Sequence, residues 1–284
     1  MTLSAVGFLI VSAVLHTTWN FLLKQTKERY IVTWWALLVG SLFFLPLLFT
    51  GPAFSPSIWL RAGLSATVEA AYVVTLAAAY RQADFSLVYP IARGTAPALL
   101  ALWSVLFLGE RLSRHGILGL TVLVCGLMII GSSAILRQRT ATADWRSLML
   151  AFLVAILISI YSAIDGSAVK STDAIRYTVV VSWLTALLVT PFMFKRYGWR
   201  ELKNGWAANR VRASAIGFLT VASYGLALIA FKIVPVGYSG AIRETGIVFG
   251  VFAGWLFLKE GFGKIRLLGS LLALAGILTI AIAG

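Results

Sequence analysis

Long apolar runs separated by short polar segments dominate the sequence from one end to the other. Because a helix rises about 1.5 Å per residue, each run is long enough to cross a hydrocarbon core about 30 Å thick. The runs lack the apolar–polar alternation of barrel strands. We therefore predict an all-α membrane protein with ten transmembrane helices. They span residues near 3–23, 31–50, 57–80, 84–109, 114–136, 145–169, 174–194, 211–232, 235–258 and 263–283.

The second half of the sequence repeats the plan of the first. Without a gap, Ser86–Glu110 aligns on Val236–Glu260 at an offset of 150 residues, so that Arg93 meets Arg243. Self-similarity at a fixed spacing indicates a duplicated structural unit.

An odd number of helices in each unit makes the two units enter the membrane from opposite sides. Such an inverted repeat places a substrate site near the middle of the membrane, between the units. The polar connection after the fifth helix is the natural boundary. We predict one repeat over residues 1–139, with helices 1 to 5, and a second over residues 140–284, with helices 6 to 10, around a central cavity.

The composition supports this class of protein. Hydrophobic residues make up 60% of the chain and charged residues 12%, and the mean hydropathy is +0.91, whereas soluble domains average about 25% charged residues. The net charge of +14 does not indicate nucleic-acid binding, because the basic residues lie in short loops. Sixteen of them fall in odd-numbered connections and six in even-numbered ones, which predicts cytoplasmic odd connections and both termini outside.

The sequence carries no enzyme signature. It has no phosphate-cradling lysine motif, no nucleophile elbow and no metal-ligand set. Its single cysteine, Cys125, lies in an apolar helix and offers neither a disulfide framework nor a metal cluster. We expect neither enzymatic activity nor a cofactor.

Two arginines interrupt the repeated apolar segment at matching places. Arg93 and Arg243 lie roughly nine residues into their helices, about 13 Å deep, near the middle of the membrane. An arginine there costs at least roughly 2.5–3.5 kcal/mol unless it is paired or faces water. We favour a pair of guanidinium groups that bind a carboxylate, phosphonate or phosphate in the cavity. A structural ion pair between the halves is the alternative.

Three carboxylates also fall inside predicted helices, namely Glu69, Asp165 and Glu244. A carboxylate in a membrane interior requires a cation or a proton. These residues are candidates for proton coupling or for binding a substrate ammonium. The alternative, that they only neutralise Arg93 and Arg243, stays open.

A polar run, HTTWN, interrupts the first helix and brings His16, Trp19 and Asn20 into the candidate site. His16 and Asn20 share a helix face, and an offset of 145 pairs them with Tyr161 and Asp165 in the sixth helix. Such polar groups also serve as plain interhelical hydrogen-bonding groups. The remaining cavity-lining candidates are Tyr89 and Tyr238.

The fourth and ninth helices end in the related runs LFLGERLS and LFLKEGFG, and the fifth and tenth are rich in glycine. With ten helices in two homologous halves, the chain resembles the EamA-type members of the drug/metabolite transporter superfamily. The resemblance implies a basket of helices 1–4 and 6–9 around a central cavity, with helices 5 and 10 outside. The glutamates of the two runs, Glu110 and Glu260, are expected to pair with nearby basic residues such as Arg111, Arg114 or Lys264.

The activity implied by the resemblance is secondary transport, commonly efflux of amino acids, metabolites or drugs. We expect an exporter of a small anionic or zwitterionic metabolite (an amino acid, an organic acid or a phosphonate-like compound) that works by alternating access in a bacterial inner membrane. Coupling to protons or to a counter-substrate, and a monomer or a homodimer, are left open. Alternatives are a multidrug or toxic-compound exporter and, from another class, a membrane-embedded lipid-modifying enzyme.

Overall fold

The computed structural model describes residues 1–82, 85–137, 145–249 and 264–283. Within these ranges every regular element is a helix and none is a strand. The elements are α1 (Leu3–Lys24), α2 (Arg29–Phe44), a 3₁₀ helix (Leu45–Phe49), α3 (Pro56–Gln82), α4 (Phe85–Leu108), α5 (Arg114–Arg137), α6 (Trp145–Val169), α7 (Ala174–Ile233), α8 (Val236–Arg243) and α9 (Lys264–Ala283).

Several of these helices have the length and composition of membrane spans. Among the described residues, four spans are long and apolar enough to cross a bilayer: Leu3–Leu23, Arg29–Phe49, Leu148–Val169 and Ala174–Ile233. Large apolar side chains are exposed on the outside of the bundle, for example Phe43, Leu106 and Phe107. This exposure suits a surface that contacts lipid, and the all-helical prediction is confirmed for a multi-pass membrane protein.

The seventh and eighth predicted helices are present as parts of α7, but the connection expected between them, Lys195–Arg210, is itself helical apart from a break at Gly198. Gly198, with φ of 69°, divides α7 into a first arm (174–197) and a second arm (199–233). The polar stretch is an amphipathic helix, in which Leu202 and Gly205 are buried and Lys203 is exposed. Its low hydropathy resembles that of a loop, and this is why the prediction failed there.

The ninth predicted helix, near 235–258, is described only in part. It begins as α8, which ends at Arg243, and a turn at Glu244 precedes a second helical segment over residues 245–249. Residues 250–263, including Glu260, lie outside the described residues. The count of ten helices and the inverted relation of the two halves therefore stay predictions.

Helices from the two halves of the chain pack on one another. Helix α2 packs mainly on α7, α5 on α9, and α6 on both α3 and α4. A large buried cluster gathers side chains of α3, α4, α6 and α7, including Tyr161, Tyr177 and Phe231. Helices α3 and α4 of the first half thus meet α6 and α7 of the second half around one core. This core positions the candidate site.

Close helix crossings in this bundle depend on glycine. A Cβ atom on Gly126 of α5 would lie 2.6 Å from the carbonyl oxygen of Gly269 in α9, and one on Gly276 would lie 2.5 Å from the backbone nitrogen of Leu123. Contacts this short leave no room for a side chain. These glycines therefore allow α5 and α9 of one chain to pack closely.

We expect Gly126→Ala to destabilise the protein by about 1–3 kcal/mol, the usual cost of overpacking, because the added methyl group would meet backbone atoms that cannot move aside. Thermal unfolding of the purified protein in detergent is the measurement. Gly63→Ala in α3 is the matched control, since nothing lies within 4 Å of its Cβ position. Equal melting temperatures for the two variants would contradict the close crossing.

Candidate functional site

An ion pair at the centre of the bundle joins the two halves. Nη1 of Arg93, on α4, lies 2.8 Å from Oε1 of Glu244, in the turn after α8. The two side chains are only 14% and 9% exposed. Arg93 is therefore neutralised by a carboxylate from the other half, as the structural alternative anticipated.

His16 extends this pair into α1. Its Nε2 lies 2.6 Å from Nη2 of Arg93. Since a guanidinium can only donate hydrogen bonds, Nε2 accepts and the ring is neutral. The edge of the Trp19 ring packs on His16 with centroids 4.9 Å apart, whereas the side-chain amide of Asn20 donates to the carbonyl of His16 in its own helix.

Arg243 occupies a different environment from its repeat partner. Its Cζ lies 4.9 Å from the centroid of the Tyr224 ring, and its Nε is buried without a hydrogen-bond partner. Among the described residues, no carboxylate lies within ion-pair distance of Arg243. Among the described residues, Arg93 thus has a carboxylate within ion-pair distance, whereas its repeat partner Arg243 has none.

The other two candidate carboxylates are held by hydroxyl groups. Asp165 is fully buried and accepts hydrogen bonds from Tyr177, at 2.9 Å, and from Tyr224. Glu69 accepts one from Thr185 at 2.7 Å. Within the described ranges, neither carboxylate forms an ion pair with an arginine, so only Glu244 has the charge-neutralising contact that was considered for all three.

Tyrosine rings connect these groups across the core. The Tyr161 ring lies 5.9 Å from that of Tyr72 and 6.3 Å from that of Tyr224. Because Tyr224 contacts both Arg243 and Asp165, the aromatic row links α3 and α6 to the cation. Tyr161 therefore belongs to this aromatic cluster, and its role as a cavity-lining residue stays a prediction.

A small cavity opens beside the two arginines. Its charged and hydroxyl-bearing lining residues are Arg93, Arg243, Glu244, Ser159 and Ser162. Pro97 and Phe231 contribute apolar walls. The space has room for about one water molecule, so the site is closed around its charges in this conformation.

Two predicted site residues are not part of this cluster as described. Tyr238 is 1% exposed, and its hydroxyl accepts the backbone N–H of Ser113, at the start of α5, at 2.7 Å. It joins α8 to α5 and does not line the cavity. The side chain of Tyr89 lies outside the described residues.

Glu110 has a structural role that sequence analysis missed. Its two carboxylate oxygens accept the first backbone N–H groups of α8, from Val236 at 2.7 Å and from Gly237 at 3.2 Å. A carboxylate at a helix N-terminus satisfies unpaired donors and interacts favourably with the helix dipole. Helix α8 follows Pro235 and has no side-chain cap of its own, which is the sequence signal for a cap supplied from elsewhere.

Lys170 reinforces the same junction. Its Nζ donates to the carbonyl of Val234 at 3.3 Å. Partial burial lowers the pKa of Lys170, and the nearby Glu110 carboxylate acts in the opposite direction. The ends of α4, α6 and α7 and the start of α8 are thereby tied together.

The chain was compared with known proteins. The sequence model of the EamA-like transporter family matches residues 3–132 and 145–282. The fold is similar to a crystal structure of a protein that is 18% identical, with a TM-score of 0.78 and coverage of 98% of this chain and 97% of that one; at this identity the likeness shows the fold alone. Nothing among the curated proteins matches the sequence.

We expect the Arg93–Glu244 pair to show strong non-additivity in stability. Arg93→Met or Glu244→Gln alone removes one partner of a buried pair, which typically costs about 3–5 kcal/mol because the other group loses its counter-charge. The double variant removes both charges and should recover part of this loss. The measurement is the melting temperature of each variant without added ligand. A double variant that loses the sum of the single losses would contradict a direct pair.

We also expect Glu110→Ala to lower stability by about 1–2 kcal/mol, the range for removing a helix cap, because two N–H groups of α8 lose their acceptor. Melting temperatures in detergent provide the test. Glu201→Ala, on the exposed side of α7, controls for the loss of one negative charge. An unchanged melting temperature for Glu110→Ala would show that the cap is dispensable.

Proposed function

Because the chain belongs to the EamA-like transporter family, we propose that it moves a small anionic or zwitterionic metabolite across the membrane by alternating access. Arg243 and Arg93 bind the anionic group of the substrate. The proposal includes secondary active transport, export as the direction, and the bacterial inner membrane as the location. The family is a transporter family, and we assign the protein no catalytic step.

The observation that carries this proposal is the state of Arg243. It lines a cavity between the halves, it is stacked on Tyr224, and it has no carboxylate partner among the described residues. A buried charge without a partner is unfavourable. An anion that enters the cavity would supply the missing counter-charge, and a planar guanidinium suits a carboxylate, phosphonate or phosphate.

Arg93 takes a second role in the same mechanism. Glu244 and His16 already hold it, so a substrate anion reaches it by competing with Glu244. Since the Arg93–Glu244 pair joins α4 to the other half, exchange of Glu244 for substrate would also weaken the contact between the halves. Substrate binding and conformational change would thereby be coupled at the Arg93–Glu244 ion pair.

The remaining polar residues serve recognition or coupling. Trp19 has an indole N–H that is buried without a partner among the described residues, and it can donate to a substrate oxygen. Glu69 accepts one hydroxyl donor, which leaves acceptor positions for a proton or a substrate ammonium. We place Glu69 and Asp165 as the coupling candidates, with His16 and Tyr161 as lining residues.

A drug-exporting function fits the cavity less well. Arg243 is a partly buried cation with no carboxylate within ion-pair distance among the described residues, and such a group repels the hydrophobic cations that multidrug exporters carry. Selection for an anionic group follows from the same electrostatics.

We expect a screen of acidic and zwitterionic metabolites to identify ligands that raise the melting temperature of the purified protein and are transported after reconstitution into liposomes. Arg243→Gln should weaken binding by about 10–100-fold, the equivalent of one charge-assisted hydrogen-bonded contact. Arg243→Lys should recover only part of this, since lysine lacks the planar fork. The readouts are the ligand-dependent thermal shift and liposome flux.

Arg61→Gln is the matched control, because Arg61 is an arginine of α3 that donates to the Ser167 carbonyl at 3.0 Å and does not line the cavity. It should bind and transport like the parent. A ligand that stabilises Arg93→Gln and Arg243→Gln as much as the parent would overturn the assignment of the site.

A further inference from the structure

A strongly basic surface lies at one end of the bundle, around the kink of α7. We call it the basic collar. It consists of six exposed residues, Lys195, Arg196, Arg200, Lys203, Arg210 and Arg212. Between residues 195 and 212 only Glu201 carries a negative charge. The cavity site does not use these residues. Their number fits the orientation rule for membrane-protein connections, and their clustering on one exposed surface also makes them available to a ligand.

The collar is attached to the connection between α1 and α2. Asn209 donates to Oε2 of Glu28 at 3.0 Å, and Trp35 donates from Nε1 to the carbonyl of Leu202 at 2.9 Å. A Cβ on Gly205 would lie 2.6 Å from Cγ2 of Ile31. The first part of the second arm (199–210) is therefore packed against α2 and the connection before it, and its charged residues are exposed.

Aromatic rings mark the depth of the collar in the membrane. Trp199 is 55% exposed and stacks on Phe194 with centroids 5.8 Å apart, and Trp35 packs against Trp206 at 5.0 Å. Tryptophan concentrates where the hydrocarbon core meets the lipid headgroups. The basic side chains next to these rings are thus placed at the level of lipid phosphates.

A shallow apolar groove lies beside the collar, and its enclosed space has room for about one water molecule. It runs between α2, α3 and the first arm of α7, and its walls include Tyr30, Trp34, Leu37, Val73, Phe192 and Met193. Arg196 follows Phe192 and Met193 by one helical turn on the same face of α7. The groove therefore ends directly beneath the collar.

We propose that this end of the protein binds an anionic phospholipid, with an acyl chain along the groove and the phosphate at the basic collar. The apolar groove, the tryptophans and the positive charge fit the three parts of one lipid molecule, namely the chain, the interface and the headgroup. Arginine favours phosphate through paired hydrogen bonds. A lipid whose headgroup carries a balancing ammonium would be attracted less strongly.

The expected strength follows from the charges. Each lysine or arginine close to an anionic membrane surface strengthens binding by roughly fivefold. Removing three of them should weaken the interaction by on the order of 100-fold. High salt should weaken it too, since exposed charges are screened.

The test uses the purified full chain in detergent, to which phosphatidylglycerol or phosphatidylcholine is added. Phosphatidylglycerol should raise the melting temperature of the parent more than phosphatidylcholine does, and native mass spectrometry should detect bound phosphatidylglycerol. The collar variant Arg196→Gln/Arg200→Gln/Lys203→Gln should lose most of this shift. The control variant Arg111→Gln/Arg114→Gln/Lys232→Gln, which removes three exposed charges outside the collar, should retain it.

Two further additions distinguish a phospholipid from free phosphate as the ligand, and they test whether an acyl chain contacts the groove. Inorganic phosphate, and a phosphatidylglycerol with chains too short to extend across the apolar surface at the groove, should each stabilise the parent less than the long-chain lipid. Equal stabilisation by inorganic phosphate would overturn lipid as the ligand. Equal stabilisation by phosphatidylcholine, or an unchanged shift in the collar variant, would overturn the proposal as a whole, whatever the transported substrate is.

Discussion

The ion pair between Arg93 and Glu244 is the contact on which the centre of the protein depends. A membrane interior provides no water to solvate a charge, so each charged group must find its partner inside the protein. Here the partner comes from the other half of the chain, and His16 adds a third helix to the contact. The same requirement explains why hydroxyl groups donate hydrogen bonds to the carboxylates of Asp165 and Glu69. The Arg93–Glu244 pair therefore both neutralises a buried charge and holds the two halves together.

The two arginines differ although the repeat makes their positions equivalent. At the offset of 150 that aligns Arg93 with Arg243, Glu244 falls on Gly94. The second half therefore carries a carboxylate that the first half lacks, and this carboxylate pairs across the centre with Arg93. Arg243 stacks on Tyr224 instead. One difference between the repeats thus gives Arg93 a carboxylate partner, whereas Arg243 has none within ion-pair distance among the described residues.

Sequence patterns predicted the elements of this fold better than their contacts. Hydropathy identified the apolar helices, because crossing a bilayer imposes length and composition directly. It failed at residues 195–210, where an amphipathic helix has the composition of a loop. The depth of Arg93 and Arg243 indicated a site, but periodicity does not fix the rotation of a helix against its neighbours. For that reason Tyr238 was placed in the cavity, although its hydroxyl bonds to Ser113.

Two of the contacts that join α4 and the residues after it to the second half differ in chemistry. Arg93 holds a carboxylate, and the carboxylate or phosphonate of a substrate can replace it with little change in bonding. Glu110 instead accepts backbone N–H groups at the start of α8, from residues that do not line the cavity. In the proposed alternating-access cycle, substrate binding would exchange the central contact, whereas the contact at Glu110 would break only when the helices themselves separate. On this proposal, the binding energy of the substrate acts at the Arg93–Glu244 pair, and the Glu110 contact stays closed until the halves move.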